Sequence, residues 1–161
     1  SIPVDISDLT TTSNYLKKNG VVRDIEYFNW RLRRPGNSYR IIESRDIEGN
    51  LQGVLVFELL AKHGCSVGYI MELMFNEQLP SHGDQLVNAA VSCMKSAGAD
   101  VVLAWCFSHD EASKSLGKYG FRYLPSFLSP IKLHFGYRGL ESSVQLAAAD
   151  FQLSYLDSDT V

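Results

Sequence analysis

Three apolar runs follow one another in the middle of the chain and predict an antiparallel meander. The runs are "YRIIESRD", "LQGVLVFELLAK" and "VGYIMELMF", and the turn sequences "EGN" and "HGCS" separate them. Runs of this length between turn residues are typical of strands. Because these runs are apolar at most positions rather than at alternate ones, we expect both faces of the sheet to be covered.

A helical pattern replaces the strand pattern after the third run. In "HGDQLVNAAVSCMKSAG", Leu86, Ala90 and Met94 recur at helical spacing, and Gly98 marks the expected end of the helix. The segment "DVVLAWCF" then predicts a buried strand, and "SHDEASKSLGKYG" predicts a short helix. The strand–helix–strand stretch over residues 67–107 is long enough to bring the chain back to a parallel strand.

Two short helices precede the meander, and a strand pair with a tail follows the last helix. The helices are "DISDLTTTSNYLKKNG" and "RDIEYFNWRLRRP", and "FRYLPSF" and "PIKLHFGY" predict the closing strands. The tail "ESSVQLAAADFQLSYLDSDTV" predicts a short helix and a strand. The resulting fold class is α+β, with a mixed central sheet (an antiparallel meander plus one parallel strand pair) flanked by helices.

The length of 161 residues indicates one domain. Residues 1–38 form its N-terminal helical segment, residues 39–137 its core, and residues 138–161 a tail that packs on the core. The sequence begins at Ser1 rather than at methionine, and we expect it to be a piece of a longer protein.

Composition and charge argue against two classes of protein, those that bind nucleic acid and those that span a membrane. Lys and Arg total 15 against 18 Asp and Glu, a net charge of −3, which argues against nucleic acid as the main partner. No apolar run approaches the roughly 18 residues of a membrane span. The odd number and wide spacing of Cys65, Cys93 and Cys106 indicate free, mostly buried thiols in a reducing, cytoplasmic compartment and no metal site. Cys106 and His109 are the one conceivable nucleophile–base pair, although a buried thiol explains Cys106 better.

The loop "NEQLPSHGDQL" has two interpretations. Ser81 with Asp84 three residues later has the pattern of a capping box, which would only start the following helix. A helix start also presents free N–H groups and the positive end of the helix dipole, which together bind anions. The small residues Ser81 and Gly83 fit that second use, since a phosphate needs close approach to the backbone. The pattern by itself leaves both interpretations open.

The same loop resembles the acyl-CoA signature of the GNAT acyltransferases. That signature is Gln/Arg-x-x-Gly-x-Gly/Ala with a leucine three residues on, and this chain has Gln78, Ser81, Gly83 and Leu86 at the matching positions. The predicted element order is also that of the family, and "GKYGF" is similar to the family's sequence before its sixth strand. Further similarities, some to bacterial members, are at Trp30, Arg31, Pro35, Tyr39, His109 and Ala112.

The resemblance implies an acyl-CoA-dependent N-acyltransferase, with acetyl-CoA or another acyl-CoA as co-substrate. The co-substrate would lie where the strands at residues 67–75 and 101–107 diverge. Its pantetheine amides would pair with the backbone at Met71 and Leu73, as an added strand does. Its pyrophosphate would be held by Gln78, Ser81, His82, Gly83 and Asp84. The acceptor would be a small-molecule or peptide amine.

Amine acylation needs a base for the ammonium group. Glu72 is a lone carboxylate within the apolar run "YIMELMF", where a perturbed carboxylate would suit this role. Glu58 in "VFELL" has a similar setting, and His109 is a third candidate. Equally, Glu72 could form an ion pair with an Arg or Lys across the sheet.

Three departures from the family pattern bear on activity. Leu116 stands where many members have the tyrosine that protonates the leaving thiolate, Ser81 replaces a glycine, and Asp84 is expected in the first helical turn, where it would repel an anion. The alternative function is therefore a non-catalytic CoA-binding or interaction module, whose partner would be another domain of the same parent protein. The basic residues of the opening helices are expected to form a solvated face: Lys17, Lys18, Arg23, Arg31, Arg33 and Arg34.

Overall fold

The computed structural model of the chain describes residues 2–12, 19–62, 64–125 and 146–158. Its elements are, in chain order, α1 (Ile6–Thr12), α2 (Ile25–Arg31), β1 (Arg40–Arg45), β2 (Leu51–Lys62), β3 (Cys65–Phe75), α3 (Pro80–Ser96), β4 (Val101–Ala104), α4 (Glu111–Lys118) and two short 3₁₀ helices at Ala148–Asp150 and Tyr155–Asp157.

The described strands form one mixed sheet in the order β1-β2-β3-β4. The first three strands are antiparallel neighbours, and β4 pairs with β3 in parallel, from Val67 opposite Val101 to Ile70 opposite Ala104. The predicted fold class and the parallel pair are therefore confirmed. The strand predicted over residues 101–107 is too long, since β4 ends at Ala104 and not at Phe107.

Helices and the C-terminal segment cover both faces of the sheet, as the apolar runs predict. On one face, α1, α2 and the C-terminal segment pack through Ile6, Phe28 and Tyr155. On the other face, α3 and α4 pack through Leu86, Met94 and Leu116 among others. The strands β2 and β3 are buried along most of their length because apolar side chains lie beneath both layers.

The two helices on the α3–α4 face end as their sequences predict. Gly98 and Gly120 have positive φ angles of 84° and 85°, which glycine adopts without a steric penalty. The amide of Ala99 donates to the carbonyl of Met94, which closes the end of α3 in a Schellman arrangement. Glycine in the left-handed conformation therefore directs the chain away from each helix axis.

Only the beginning of the predicted closing strand pair lies within the described residues. No strand is present in residues 121–125, so the prediction for "FRYLPSF" is wrong over that stretch. Its end and the whole of "PIKLHFGY" lie outside the described residues. In the tail, Phe151 forms an isolated parallel bridge with Asn19, which joins the C-terminal segment to the N-terminal one. Across the described ranges, no helix has the length and apolar character that crossing a bilayer requires.

Candidate functional site

A cleft opens where β3 and β4 stop pairing. The last paired residues are Ile70 and Ala104, whereas β3 continues to Phe75. A space of about 360 Å³, part of it open to solvent, lies between the two segments beyond that pair. It is lined by residues 70–73, 104–106 and 152–154 and by side chains of α4. The parallel strands thus diverge as predicted, and we call this space the β3–β4 cleft.

β3 has one extra residue beside the cleft. Val56 of β2 pairs with Glu72, but the next residue, Phe57, pairs with Ile70, so the register skips Met71. Such a bulge bends a strand and re-aims its side chains, and bulges are common next to functional sites. The predicted pantetheine-binding residues Met71 and Leu73 both line the cleft at this bulge.

Glu72 is the one of the three proposed bases that lines the cleft, and three donors hold its carboxylate. Oε2 accepts hydrogen bonds from Arg23 Nε and Ser154 Oγ, each at 2.8 Å. Oε1 accepts from the backbone N–H of Leu73 at 3.2 Å. The side chains of Arg23 and Glu72 are 1% and 3% exposed.

The partner of Glu72 differs from the expected one. Glu72 does pair with an arginine, as one interpretation expected. That arginine, Arg23, lies in the segment before α2, so the expectation that the pair spans two strands of the sheet is wrong. Arg23 also contacts Asp157 at 2.6 Å, which places one guanidinium between two buried carboxylates. This arrangement connects the N-terminal segment, β3 and the C-terminal segment beneath the cleft.

Sequence reasoning missed the C-terminal members of this cluster. Ser154 accepts from the amide of Leu156, while Asp157 accepts from the amide of Ser154, and together they form a capping box at the start of the second 3₁₀ helix. Serine followed three residues later by an acidic residue is the usual sequence signature of this cap. That signature in "SYLD" could have identified the turn, but not its contact with Glu72.

Glu58 is not among the residues that line the cleft, and its carboxylate binds the loop before β1. It is 1% exposed and accepts from the amide of Ser38 at 2.6 Å and from Asn37 Nδ2 at 3.1 Å. Burial and the Glu58 charge raise the pKa of the neighbouring Tyr39 hydroxyl. These contacts are sufficient to explain why a carboxylate is buried in β2, and no catalytic role is needed to account for it.

His109 also lies outside the lining of the cleft. Its Nε2 is 3.3 Å from the carbonyl oxygen of Phe151, and its ring stacks on Phe107 with centroids 5.2 Å apart. These contacts connect the chain beyond β4 to the C-terminal segment. The three proposed bases therefore do not form one constellation.

The loop before α3 differs from the predicted cap. The helix begins at Pro80 with Leu79 at the N-cap position, and no side chain caps it, so Ser81 lies within the first turn and is exposed. Proline is favoured at the first helical position because it has no N–H to satisfy. The amides of Gln78 and His82 donate to oxygens of Asn76 and Leu79 within the loop. The amide of Leu79 likewise donates to the carbonyl of Asn76. The predicted capping box is therefore wrong, and three loop amides already have internal partners.

Asp84 is not in the first helical turn, contrary to expectation. It lies beyond that turn, and its carboxylate contacts Lys118 of α4 at 2.6 Å. This hydrogen bond holds the pKa of Asp84 below its usual value. The negative charge that was expected to repel a phosphate is consequently paired with a cation.

Gly83 and His82 both face the sheet. A Cβ atom on Gly83 would lie 2.7 Å from the ring of Phe75, so the glycine allows α3 to pack closely on β3. His82 Nδ1 is 2.7 Å from the hydroxyl oxygen of Ser44 on β1. Gly83 of the signature and the neighbouring His82 therefore have structural roles in addition to any contact with a ligand.

Cys106 and Leu116 form part of the apolar side of the cleft. Burial, with the nearby Asp110 carboxylate, raises the pKa of the Cys106 thiol to about 11. A thiol of this kind is a poor nucleophile at neutral pH. All three cysteines are free in the structure, as expected, but Cys65 and Cys93 are exposed, so the expectation that the thiols are mostly buried is wrong. The described residues contain no group of three or more His, Cys, Asp or Glu side chains that could hold a metal ion.

The basic residues of the opening segment do not form one solvated face. Arg23 and Arg31 are 1% and 6% exposed, and Arg31 donates to the carbonyl of Leu156 at 2.7 Å. Arg33 and Arg34 are exposed as expected. Lys17 and Lys18 lie outside the described residues. Two of the six are thus internal anchors for the C-terminal segment, which charge patterning alone does not indicate.

No protein-family model matches the chain. No curated protein sequence matches it either. Solved structures do match. An aminoglycoside acetyltransferase, meta-AAC0020 from an uncultured soil metagenomic sample, crystallised with sisomicin, is 17% identical over 77% of this chain and 80% of its own, with a TM-score of 0.51. Glucosamine-6-phosphate N-acetyltransferase from Arabidopsis thaliana is 18% identical over 84% and 90%, with a TM-score of 0.58.

A third structure, of a protein described as a probable acetyltransferase, is 15% identical over 83% of this chain and 91% of its own, with a TM-score of 0.61. These likenesses cover between 77% and 84% of this chain. The chain accordingly has the fold of the GNAT acetyltransferases. At these identities the likeness establishes the fold, whereas activity has to be argued from the site.

Proposed function

We propose that the protein binds an acyl-CoA, in particular acetyl-CoA, in the β3–β4 cleft and transfers the acyl group to an amine. The observation that carries this proposal is the end of strand pairing at Ile70 and Ala104, next to an extended β3 and a space of about 360 Å³. A ligand amide could add to the edge of β3 there, as an extra strand does.

The start of α3 would hold the pyrophosphate. It follows β3 after four residues, it is exposed, and it carries no acidic residue in its first turn. The positive end of the helix dipole favours an anion at this position. The internal bonds of Gln78 and His82 are compatible with this use, since N–H groups at helix ends often share two acceptors. Lys118 pairs with Asp84, so this carboxylate adds no net negative charge beside the site.

Glu72 is our candidate for the general base, ahead of Glu58 and His109, because it touches the cleft. The donors Arg23 and Ser154 would fix its orientation, and its carboxylate would receive a proton from the amine. The acceptor itself would be a small-molecule or peptide amine. This use of acetyl-CoA agrees with the cytoplasmic location expected from the free thiols.

A second candidate is a CoA-binding module without catalysis. It is favoured by Leu116, an apolar side chain in the cleft at the position where the family has its proton-donating tyrosine. It is also favoured by the amide of Leu73, which already donates to Glu72 and would have to be released before it could polarise a thioester carbonyl. Binding without turnover is the behaviour that this candidate predicts.

Ser81→Glu tests the binding site by calorimetric titration with acetyl-CoA. Ser81 is exposed in the first turn of α3, where a carboxylate stabilises the helix but repels a pyrophosphate. We expect binding by the wild type and binding at least several-fold weaker in Ser81→Glu, without loss of stability. The matched control Asn88→Glu adds the same charge at an exposed position farther along α3 and should bind almost normally.

Turnover separates the two candidates. Release of free CoA thiol that depends on added primary amines, among them amino sugars and peptides, would support the transferase. Tight binding of acetyl-CoA without release with any of these amines would support the module. Absence of acetyl-CoA binding by the wild type would refute both.

A further inference from the structure

The C-terminal segment forms a wall of the β3–β4 cleft and is held there from two sides. The amide of Asn19 donates to the carbonyl of Asp150 at 2.6 Å, and the amide of Gln152 donates back to the carbonyl of Asn19 at 3.1 Å. From the other side, His109 contacts the carbonyl of Phe151. This segment is therefore fixed by backbone contacts and not by the side chain of Gln152.

A close backbone approach adds to this fixation. A Cβ atom on Gly20 would lie 2.8 Å from the carbonyl oxygen of Gln152, so only glycine fits at that position without a shift. The two chain segments thus touch through their backbones. The position of Gln152 at the cleft is set before any ligand enters.

The side chain of Gln152 has a carbonyl oxygen that accepts no hydrogen bond from the described residues. Gln152 lines the cleft, and its Oε1 is buried without a hydrogen-bond partner within the described part of the chain. Buried polar atoms in folded proteins are nearly always paired, and leaving one unpaired is unfavourable. An unpaired acceptor beside an open space indicates that a group from outside the chain completes the pair.

We propose that Gln152 binds an amide of the pantetheine arm of CoA, opposite the backbone of β3. This inference rests on the proposed CoA site. A carboxamide both donates and accepts, so a turn about its last side-chain bond presents either function to a secondary amide. The arm would then be held from one side by the backbone at residues 71–73 and from the other by Gln152. Glu72 and Ser154 are already bonded to each other, which leaves Gln152 as the uncommitted polar side chain that the C-terminal segment brings to the cleft.

Gln152→Leu tests this assignment, because leucine keeps most of the volume and removes the amide. Binding is measured by calorimetry with two probes, CoA and 3′-phospho-ADP, which is CoA without its pantetheine arm. We expect CoA to bind roughly three- to tenfold more weakly, as for the loss of one hydrogen bond, and 3′-phospho-ADP to bind as before. The melting temperature should stay unchanged or rise, since no internal bond of Oε1 is lost.

Asn88→Leu is the control: it removes a carboxamide from an exposed position on α3 outside the cleft lining, and it should leave both affinities unchanged. Equal CoA affinity in Gln152→Leu and wild type would overturn the role of Gln152 and leave the CoA site intact. Equal weakening for both probes would also overturn it, because the effect would then not depend on the pantetheine arm. Absence of CoA binding by the wild type would overturn the site and the role together.

Discussion

Arg23 is the residue on which the described fold around the cleft depends most. Its guanidinium lies between Glu72 and Asp157 and is 1% exposed. Removing one partner of a buried ion pair leaves an uncompensated charge in the interior. We expect Arg23→Met to lower the free energy of unfolding by about 3–5 kcal/mol, measured by urea denaturation.

Arg45 provides the control for this prediction. It also bridges two carboxylates, those of Asp5 and Glu43, but its side chain is 35% exposed. Solvent screens such pairs strongly. Arg45→Met should therefore have a much smaller effect, and equal losses in the two variants would contradict the account of the buried cluster.

At the scale of single residues, the sequence pointed to Glu72 in the buried ion-pair cluster but not to its partners Arg23 and Asp157. Glu72 is conspicuous because it is a carboxylate within an apolar strand. Arg23 is 49 residues away, and nothing in the local pattern distinguishes it from the exposed Arg33 and Arg34. Pairings over such distances depend on tertiary packing, whereas local signatures such as the Ser154–Asp157 cap are visible in the sequence.

Among the elements, α3 packs closely on the sheet at Gly83. Gly83→Ala would place a methyl group 2.7 Å from the ring of Phe75. Overpacking of this kind costs about 1–3 kcal/mol, and the gain in helix propensity offsets up to about 1 kcal/mol of that. We expect a net loss of stability of about 1–2 kcal/mol, measured by thermal or urea denaturation.

Gly117→Ala in α4 is the matched variant. A Cβ atom there meets nothing within 4 Å, so the change should raise stability by about 0.5–1 kcal/mol through helix propensity alone. Destabilisation by both variants would show that close packing on Phe75 is not the reason for glycine at position 83.

Element boundaries followed the sequence where local chemistry decides them. The apolar run of β2 and the glycine that ends α3 have the predicted limits. The start of α3 was misplaced because Pro80 takes the first helical position and leaves Ser81 inside the helix. β4 was overestimated because its apolar residues continue past Ala104 while its pairing with β3 stops at the cleft. Apolar character does not reveal where two strands diverge.

On the scale of the whole molecule, distant segments meet at the cleft. Because Cys106 lines the cleft, alkylation of its thiol can be used to test whether CoA binds there. A thiol with a pKa of about 11 reacts slowly with iodoacetamide at pH 8, and its reaction should accelerate up to about that pH as the thiolate forms. We expect CoA to slow the alkylation of Cys106 several-fold, measured by mass spectrometry. The exposed Cys65 and Cys93 serve as internal controls and should react at the same rate with or without CoA. Unchanged alkylation of Cys106 by a CoA-bound protein would mean that the ligand lies elsewhere.

The central claim is that acyl-CoA binds between the diverging strands and at the start of α3. Amide hydrogen exchange of the whole chain, with and without a large excess of acetyl-CoA, tests it most directly because it locates the contact without assuming any residue. The account predicts slower exchange at residues 70–73, 78–84 and 152–154, with no change in α1 and β1. Unaltered exchange throughout, or protection confined to segments away from the cleft, would contradict it.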